Sequence, residues 1–455
     1  MRFDPSILTH NEATRAPIVA VLEAALDAVD PYQATLAALR RQGDTLTVAG
    51  HAVDLRRYRR ILVVGAGKAG APMCQAVEQV LGDRLTRGLV VVKTGHGAPT
   101  GQIELVEAGH PRPDEAGARA GQRILDLAGE TGPDDLVIAL LSGGGSALLV
   151  APAEGLTLAD KQGMTEALLA CGATIHEINC LRKHCSRVKG GQLARAVAPA
   201  TLITLALSDV VGSPLDVIAS GPTVPDAATW DDAWAIVRRY DLAGKLPPAV
   251  LKRLEDGRAG RIPDTPKRDD PAFAATLTLV IADNRVAAQA AIDRAAQLGY
   301  HPLLLTTYLE GEAAQVAKVA VALGREVQDS GLPVAPPACL VLGGETTVIL
   351  GSHPGKGGRN QELALAAAVA LDGNPDITIV SLATDGTDGP TDSAGGIADG
   401  DTAGRGRAAG MDPEEYLRGH NAYPYLAATQ DLLLTGPTQT NVNDLVFVFV
   451  GTPAA

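Results

Sequence analysis

The sequence predicts an α/β protein of two domains, the first built on a parallel sheet and the second on a mixed one. Three observations lead there. Short apolar runs recur along the chain and are continuous rather than alternating, which suits parallel strands covered on both faces. Helical patterns lie between the runs, as in βαβ units. The length, 455 residues, exceeds one average domain of roughly 100–200 residues.

The elements follow in order. Apolar residues at helical spacing predict an amphipathic helix over Ala16–Leu39. Strands of the first sheet are expected at Ile61–Gly65, Gly88–Lys93, Leu136–Leu141 and Leu202–Leu207. Between Gly244 and Phe273 the chain turns rich in Pro and charge. The boundary is therefore placed there: a first domain over 1–250, a linker over 251–274 and a second domain over 275–455. The last segment of the chain is free to pack back on the first domain. Strand patterns resume at Leu277–Ala282, His301–Thr306, Ala338–Leu342, Thr346–Leu350, Ile377–Ala383 and Leu445–Val450. The pair flanking Gly343-Gly344-Glu345 reads as a hairpin, which would make the second sheet mixed.

Composition narrows the function. Hydrophobic residues at 46% and charged residues at 20% are ordinary for a folded soluble protein. A net charge of −13 argues against nucleic acid as a partner, because a phosphate backbone is held by excess Lys and Arg. A small anionic ligand remains open, since a few cations can converge locally. Apolar runs such as Leu136–Leu141 fall far short of the ~20 residues of a spanning helix. The opening stretch has no basic region followed by an apolar core, and the five Cys read as reduced thiols. A cytoplasmic protein, either monomer or homodimer, is expected.

Two glycine-rich turns carry the first chemical signal. Gly65-x-Gly67-x-x-Gly70 follows a strand and opens a helix, the spacing of a dinucleotide-binding turn. The usual companion is an acidic residue at the end of the next strand, where it binds a ribose diol. That strand instead ends in Lys93 and Thr94, and Lys68 sits inside the turn. Phosphate or carboxylate binding is favoured over NAD. A second turn, Ser142-Gly143-Gly144-Gly145-Ser146, lies between a buried strand and an apolar helix. Consecutive glycines cost chain entropy, so a ligand role is expected of Gly67, Ser142, Gly144, Gly145 and Ser146. Neither turn is a Walker loop.

Polar segments supply the rest. The stretch from His176 to Gly191 concentrates Arg182, Lys183, Arg187 and Lys189 in an acidic protein and reads as a cationic wall facing phosphates. Its His176, Cys180, His184 and Cys185 match no common zinc spacing. Asp209 closes a buried strand, a position shared by bases, magnesium ligands and helix caps. Asp385 and Asp388 end another strand, where paired hard carboxylate oxygens suit Mg²⁺. Arg359 stands at the mouth of a helix, and Thr435–Asp444 packs polar side chains before a hydrophobic strand.

Taken together, GAGKAG, SGGGSALL, EINCLRKHCSRVKGGQLA, LSDVVGSPLDVIASGPT, GGETTV, GGRNQELAL, ATDGTDGPTD and TNVNDL resemble the class II glycerate kinases, whose C-terminal half is called the MOFRL domain. They occur in one order from residue 65 to 445. The resemblance implies a Rossmann-like N-terminal domain, an α/β C-terminal domain and an active site in the cleft. It implies phosphorylation of glycerate by ATP with Mg²⁺, most simply D-glycerate to 2-phosphoglycerate, with Lys68 and Arg359 in catalysis. Asp209 is the expected base or alternative metal ligand, and Asp385 with Asp388 the expected Mg²⁺ ligands. Arg182, Lys183, Lys189, Glu345, Asn441 and Asn443 join the glycine-turn residues as expected substrate or phosphate contacts. Cys180, Cys185, Ser213 and Gln439 depart from the family pattern, and Gln439 leaves the conformation of the tail loop open. Some relatives are called hydroxypyruvate reductases, which makes an NAD(P)H-dependent reductase the competing reading.

Overall fold

A computed structural model describes residues 2–351 and 353–453. The chain forms two compact units, Pro31–Ile281 and a discontinuous one, Met1–Asp30 with Ala282–Ala455.

Unit 31–281 opens with a three-stranded antiparallel meander, β1 (Leu39–Gln42), β2 (Thr45–Val48) and β3 (His51–Asp54). Its main sheet comprises β4 (Arg60–Ala66), β5 (Arg87–Lys93), β6 (Ile103–Ala108), β7 (Asp135–Leu141), β8 (Thr201–Leu207) and β9 (Thr276–Ala282). Their spatial order is β6-β5-β4-β7-β8-β9, with parallel pairing from β6 to β8. The four strands expected from continuous apolar runs are all present, and β7 is buried at every position. Leu62, Val64, Leu89, Val91, Val137 and Ala139 pack one face against Ile124, Leu148 and Leu193. Chain order reverses direction between β4 and β7, so the loops leaving these two strands part and open a crevice at the carboxyl edge.

The stretch expected as a linker, 251–274, is part of this unit. Helix Pro248–Arg258 buries Val250 and Leu254 beside Trp230, Ile236 and Leu181, and Thr265 is buried. Its Pro and charge content marks a surface route over the unit, not a gap between two. The division falls at 30/31 and 281/282 instead.

The discontinuous unit carries β10 (His301–Glu312), β11 (Ala338–Thr347), β12 (Ile377–Ala383), β13 (Gly395–Ala398), β14 (Leu432–Leu433) and β15 (Asp444–Val450) in the order β10-β11-β15-β12-β13-β14. The sheet is mixed, but not through a hairpin. The chain runs straight through Gly343-Gly344-Glu345 within β11, and antiparallel β15 enters between β11 and β12. Gly344 has φ +151° and its backbone presses on Leu309 of β10, leaving no space for a β-carbon. The expected helix 16–39 is two helices, Glu12–Ala28 and Pro31–Ala38. Pro31 disfavours the helical region at Asp30 and forces the break.

Helix Glu12–Ala28 packs along helix Asn284–Gln297. It is tied there by Arg15, a fully buried guanidinium 2.8 Å from Asp399 and 2.6 Å from Asp431. Arg405 meets the same two carboxylates at 3.0 and 2.9 Å. Among the described residues no helix is long and apolar enough to cross a membrane.

Candidate functional site

The carboxyl edge of the parallel sheet gathers the two glycine-rich turns. Gly67 has φ +153°, and a β-carbon there would collide with the Ser142 hydroxyl. Backbone pairing locks the turns together: Lys68 N–H donates to Gly143 O at 2.9 Å, Ser142 N–H to Ala66 O at 3.2 Å, and Ala69 N–H to Ser142 Oγ at 3.1 Å. Gly144 lies in the left-handed region at φ +83°, and a β-carbon there would sit 3.0 Å from His110 Cδ2 and 3.3 Å from Lys68 Cγ. Gly143 gives way in the same manner to the Asp209 carboxylate at the end of β8. Glycine is required because side chains from four strand ends close on these backbones.

Beside the second turn lies a cavity of about 230 Å³. Ser142, Gly144, Gly145, Ser146, Asn179, Arg182 and Asp209 line it. Helix Ile175–His184 delivers Asn179 and Arg182, and a capping box of Thr174 and Glu177 sets where that helix begins. Ser146 Oγ meets Ser220 Oγ at 2.9 Å, and Ser220 Oγ donates to Asn179 Oδ1 at 3.0 Å. Burial pulls the Arg182 guanidinium down from its usual range.

The basic stretch is not a wall. Of its cations Arg182 lines the cavity, whereas Lys183 is buried, 3.1 Å from Asp226 and 3.3 Å from Asp216. Lys189 is buried, and its Nζ has no hydrogen-bond partner among the described residues. Burial pulls its pKa well below the usual value, with repulsion from Lys161 and Arg182 adding to it. Both ring nitrogens of buried His184 face acceptor oxygens, Nδ1 at 2.8 Å from Cys180 O and Nε2 at 3.0 Å from Asp264 Oδ1, so protein partners account for its burial.

In the discontinuous unit Arg359, Glu345, Asn443 and Asp444 form one network. Arg359 grips Asp444 with two nitrogens, Nη2 to Oδ1 at 3.0 Å, and its Nη1 lies 2.7 Å from Glu345 Oε1. Asn443 Nδ2 donates to Glu345 Oε2 at 3.0 Å, and Asn441 Oδ1 accepts from Asn443 N–H at 3.1 Å. Burial pushes the Asp444 carboxyl up to about 6, against the pull of Arg359. Among the described residues three of the five guanidinium N–H groups are committed, which leaves one on each terminal nitrogen.

A cavity of about 430 Å³ adjoins Arg359 and also touches Thr346, Glu362, Asp388 and His420. His420 Nδ1 lies 3.0 Å from Glu362 Oε1. Asp388 and Asp385, the expected magnesium ligands, each have protein partners of their own. Asp388 is buried, and its carboxylate accepts from Asn360 N–H at 3.2 Å and Gln361 N–H at 2.8 Å, capping helix Arg359–Leu371. Asp385 Oδ1 accepts from Thr387 N–H at 3.0 Å, a local turn. Among the described residues no three His, Cys, Asp or Glu side chains are gathered to hold a metal ion. Gln439, where the family usually has a small residue, takes φ +62°, a conformation glycine favours.

The sequence reading missed Asp444, His110 and the Glu362–His420 pair. Asp444 lay within a motif already singled out, at the mouth of a hydrophobic strand. His110 gave no signal, because the loop that presents it carries no glycine-rich signature.

The family described as "Domain of unknown function (DUF4147)" matches residues 18–255, and the MOFRL family matches 338–444. A glycerate 2-kinase of Pyrococcus horikoshii is 42% identical over 426 residues, 94% of this chain and 95% of that protein. A D-glycerate 2-kinase of Thermotoga maritima is 42% identical over 388 residues, 85% and 90%. An Agrobacterium vitis relative provisionally named a hydroxypyruvate reductase is 46% identical over 393 residues, 86% and 87%. The crystal structure of a glycerate kinase from Thermotoga maritima superposes with TM-score 0.85 at 38% identity, covering 96% of this chain and 99% of that one.

Proposed function

The chain belongs to the class II glycerate kinase family, and from that premise we propose that it transfers the γ-phosphoryl group of ATP to the 2-hydroxyl of D-glycerate. The observation that carries the reading is the small polar cavity at the carboxyl edge of the parallel sheet. At about 230 Å³ it suits a three-carbon acid. Arg182 offers a bidentate partner for a carboxylate, and Ser146 and Asn179 offer hydroxyl contacts. Asp209 lines the same space and is the candidate acceptor for the hydroxyl proton.

Phosphoryl transfer needs positioning and charge neutralisation more than covalent chemistry. Lys68, half-buried at the turn that closes on Ser142, is assigned to the anionic oxygens of the transferring group. Arg359 is assigned to the same reaction through its two uncommitted N–H groups. Magnesium is taken as part of the MgATP co-substrate, since Asp388 is occupied as a helix cap.

The reductase reading lacks its ribose carboxylate, because β5 ends in Lys93. Phosphorus NMR after incubation with ATP, Mg²⁺ and D-glycerate tests the assignment, with 3-phosphoglycerate and L-glycerate as controls. A 2-phosphoglycerate resonance is expected. Absence of any phosphoglycerate, with NADPH consumed on hydroxypyruvate in a parallel absorbance assay, would overturn it.

A further inference from the structure

Three loops leave the carboxyl ends of β4, β5 and β6, and each brings a basic side chain to the same place. The strands end in register, Ala66 level with Val91 and Lys93 level with Ala108. The β5 loop folds back so that His96 Nδ1 lies 3.1 Å from Lys68 O. The β6 loop carries His110, which flanks Gly144 on the side where Lys68 also packs. Lys68, Lys93, His96 and His110 are all half-buried.

Among the described residues none of the four forms an ion pair. Two carboxylates stand close, and each is committed to backbone: Glu107 accepts from Gly97 N–H at 3.2 Å, and Asp114 from Gly109 and Gly117 N–H at 2.9 Å. Neither His110 nitrogen has a hydrogen-bond partner among the described residues. Burial first, then Lys68, Lys93 and His96, hold its pKa down to about 4. Two lysine cations without a counter-charge and two imidazoles, brought to one spot in a protein of net charge −13, make a local field that favours an anion.

We propose that the Lys68, Lys93, His96 and His110 cluster seats the terminal phosphates of the nucleotide, beside Gly144 and outside the lining of the cavity assigned to the acid. The inference rests on the kinase reading and adds a location to it. A polyphosphate also fits the cluster better than a single carboxylate, because three separate loops supply the donors and each can meet a different oxygen. The strand end that rules out a ribose carboxylate then has a use of its own, since Lys93 is the phosphate partner there.

Calorimetry with MgADP and, separately, with D-glycerate tests the seat. Lys93→Ala and His110→Gln should each weaken MgADP by about tenfold or more, the scale of one charge-assisted contact, and leave D-glycerate within about twofold. Proton NMR of the wild-type protein gives a second readout that needs no variant. Pyrophosphate should raise the His110 pKa by about one unit or more, because an anion within ~4–6 Å favours the imidazolium. MgADP affinity should therefore strengthen as pH falls. Unchanged MgADP binding in both variants with weakened D-glycerate binding would overturn the proposal, as would a His110 resonance indifferent to pyrophosphate. A wild-type protein that makes no phosphoglycerate but loses MgADP binding in Lys93→Ala would sink the kinase reading alone.

Discussion

Removing Arg359 should cost the enzyme twice, and a double-mutant cycle with Asp444 separates the two losses. The guanidinium is a third exposed, while the Asp444 side chain it grips is only 5% exposed. Arg359→Ala therefore strands a buried carboxylate. Breaking such a pair from one side costs ~3–5 kcal/mol, and the partial exposure of Arg359 points to about 3. For a unit of this size that is a fall in melting temperature of ~6–12 °C. If the two uncommitted N–H groups also meet the transferring phosphoryl, kcat should fall by ~10²–10³, the scale of losing one preorganised donor. Adding Asp444→Ala removes the stranded charge, and about 2–3 kcal/mol of coupling should return as stability. Activity should not return with it. Urea unfolding and steady-state turnover on Arg359→Ala, Asp444→Ala and the double variant supply the cycle. Should turnover recover in parallel with stability, Arg359 only holds Asp444 in place, and its assignment to the reaction is wrong.

Lys68→Ala should lower kcat by ~100-fold or more with unfolding midpoint unchanged, since the Lys68 side chain is half-buried and its backbone makes the turn contacts; near-normal kcat would end the assignment. Arg15→Met should destabilise by ~2–4 kcal/mol in denaturant unfolding, because Asp431 is fully buried and would keep Arg405 alone; a change under ~0.5 kcal/mol would mean the network is not felt. Activity should vanish with EDTA and return with Mg²⁺ or Mn²⁺, while a zinc-selective chelator does nothing; loss reversed only by zinc would restore a metal role to His184 and its neighbours. Asp444→Asn should alter the acid limb of kcat/KM near pH 6, where wild-type Asp444 takes up its proton and loosens Arg359; an unaltered limb would place that titration elsewhere.

How much was legible depended on the range of the interaction. β4, β5, β7 and β8 showed themselves because a strand buried on both faces must be apolar throughout. β6, Ile-Glu-Leu-Val-Glu-Ala, is an edge strand with exposed Glu104 and Glu107, and it carries no such run. The glycines of both turns were legible as sites because positive φ and close backbone approach leave only one residue type. Partners far along the chain were not. Nothing local to Arg359 announces Asp444, 85 residues on, and nothing local to Lys183 announces Asp226, so a buried pair looked like a surface cation. The division by contacts falls later than the expected boundary for the same reason, since Pro and charge report exposure while a compact unit is defined by contacts.

Helix Glu12–Ala28 has a consequence for how the protein is made. Its apolar face, with Ile18, Val21, Leu22, Ala25 and Leu26 buried, belongs against residues that follow 281. On a ribosome that face waits while about 250 further residues emerge, roughly 13–50 s at ~5–20 residues per second. Unit 31–281, which is continuous in sequence, can complete its sheet during that interval. The helix is then a standing invitation to chaperones, and the last strand, β15, arrives late into the centre of its sheet. A circular permutation joining 2–30 to the end of the chain would bring the helix out beside its partners and abolish the wait.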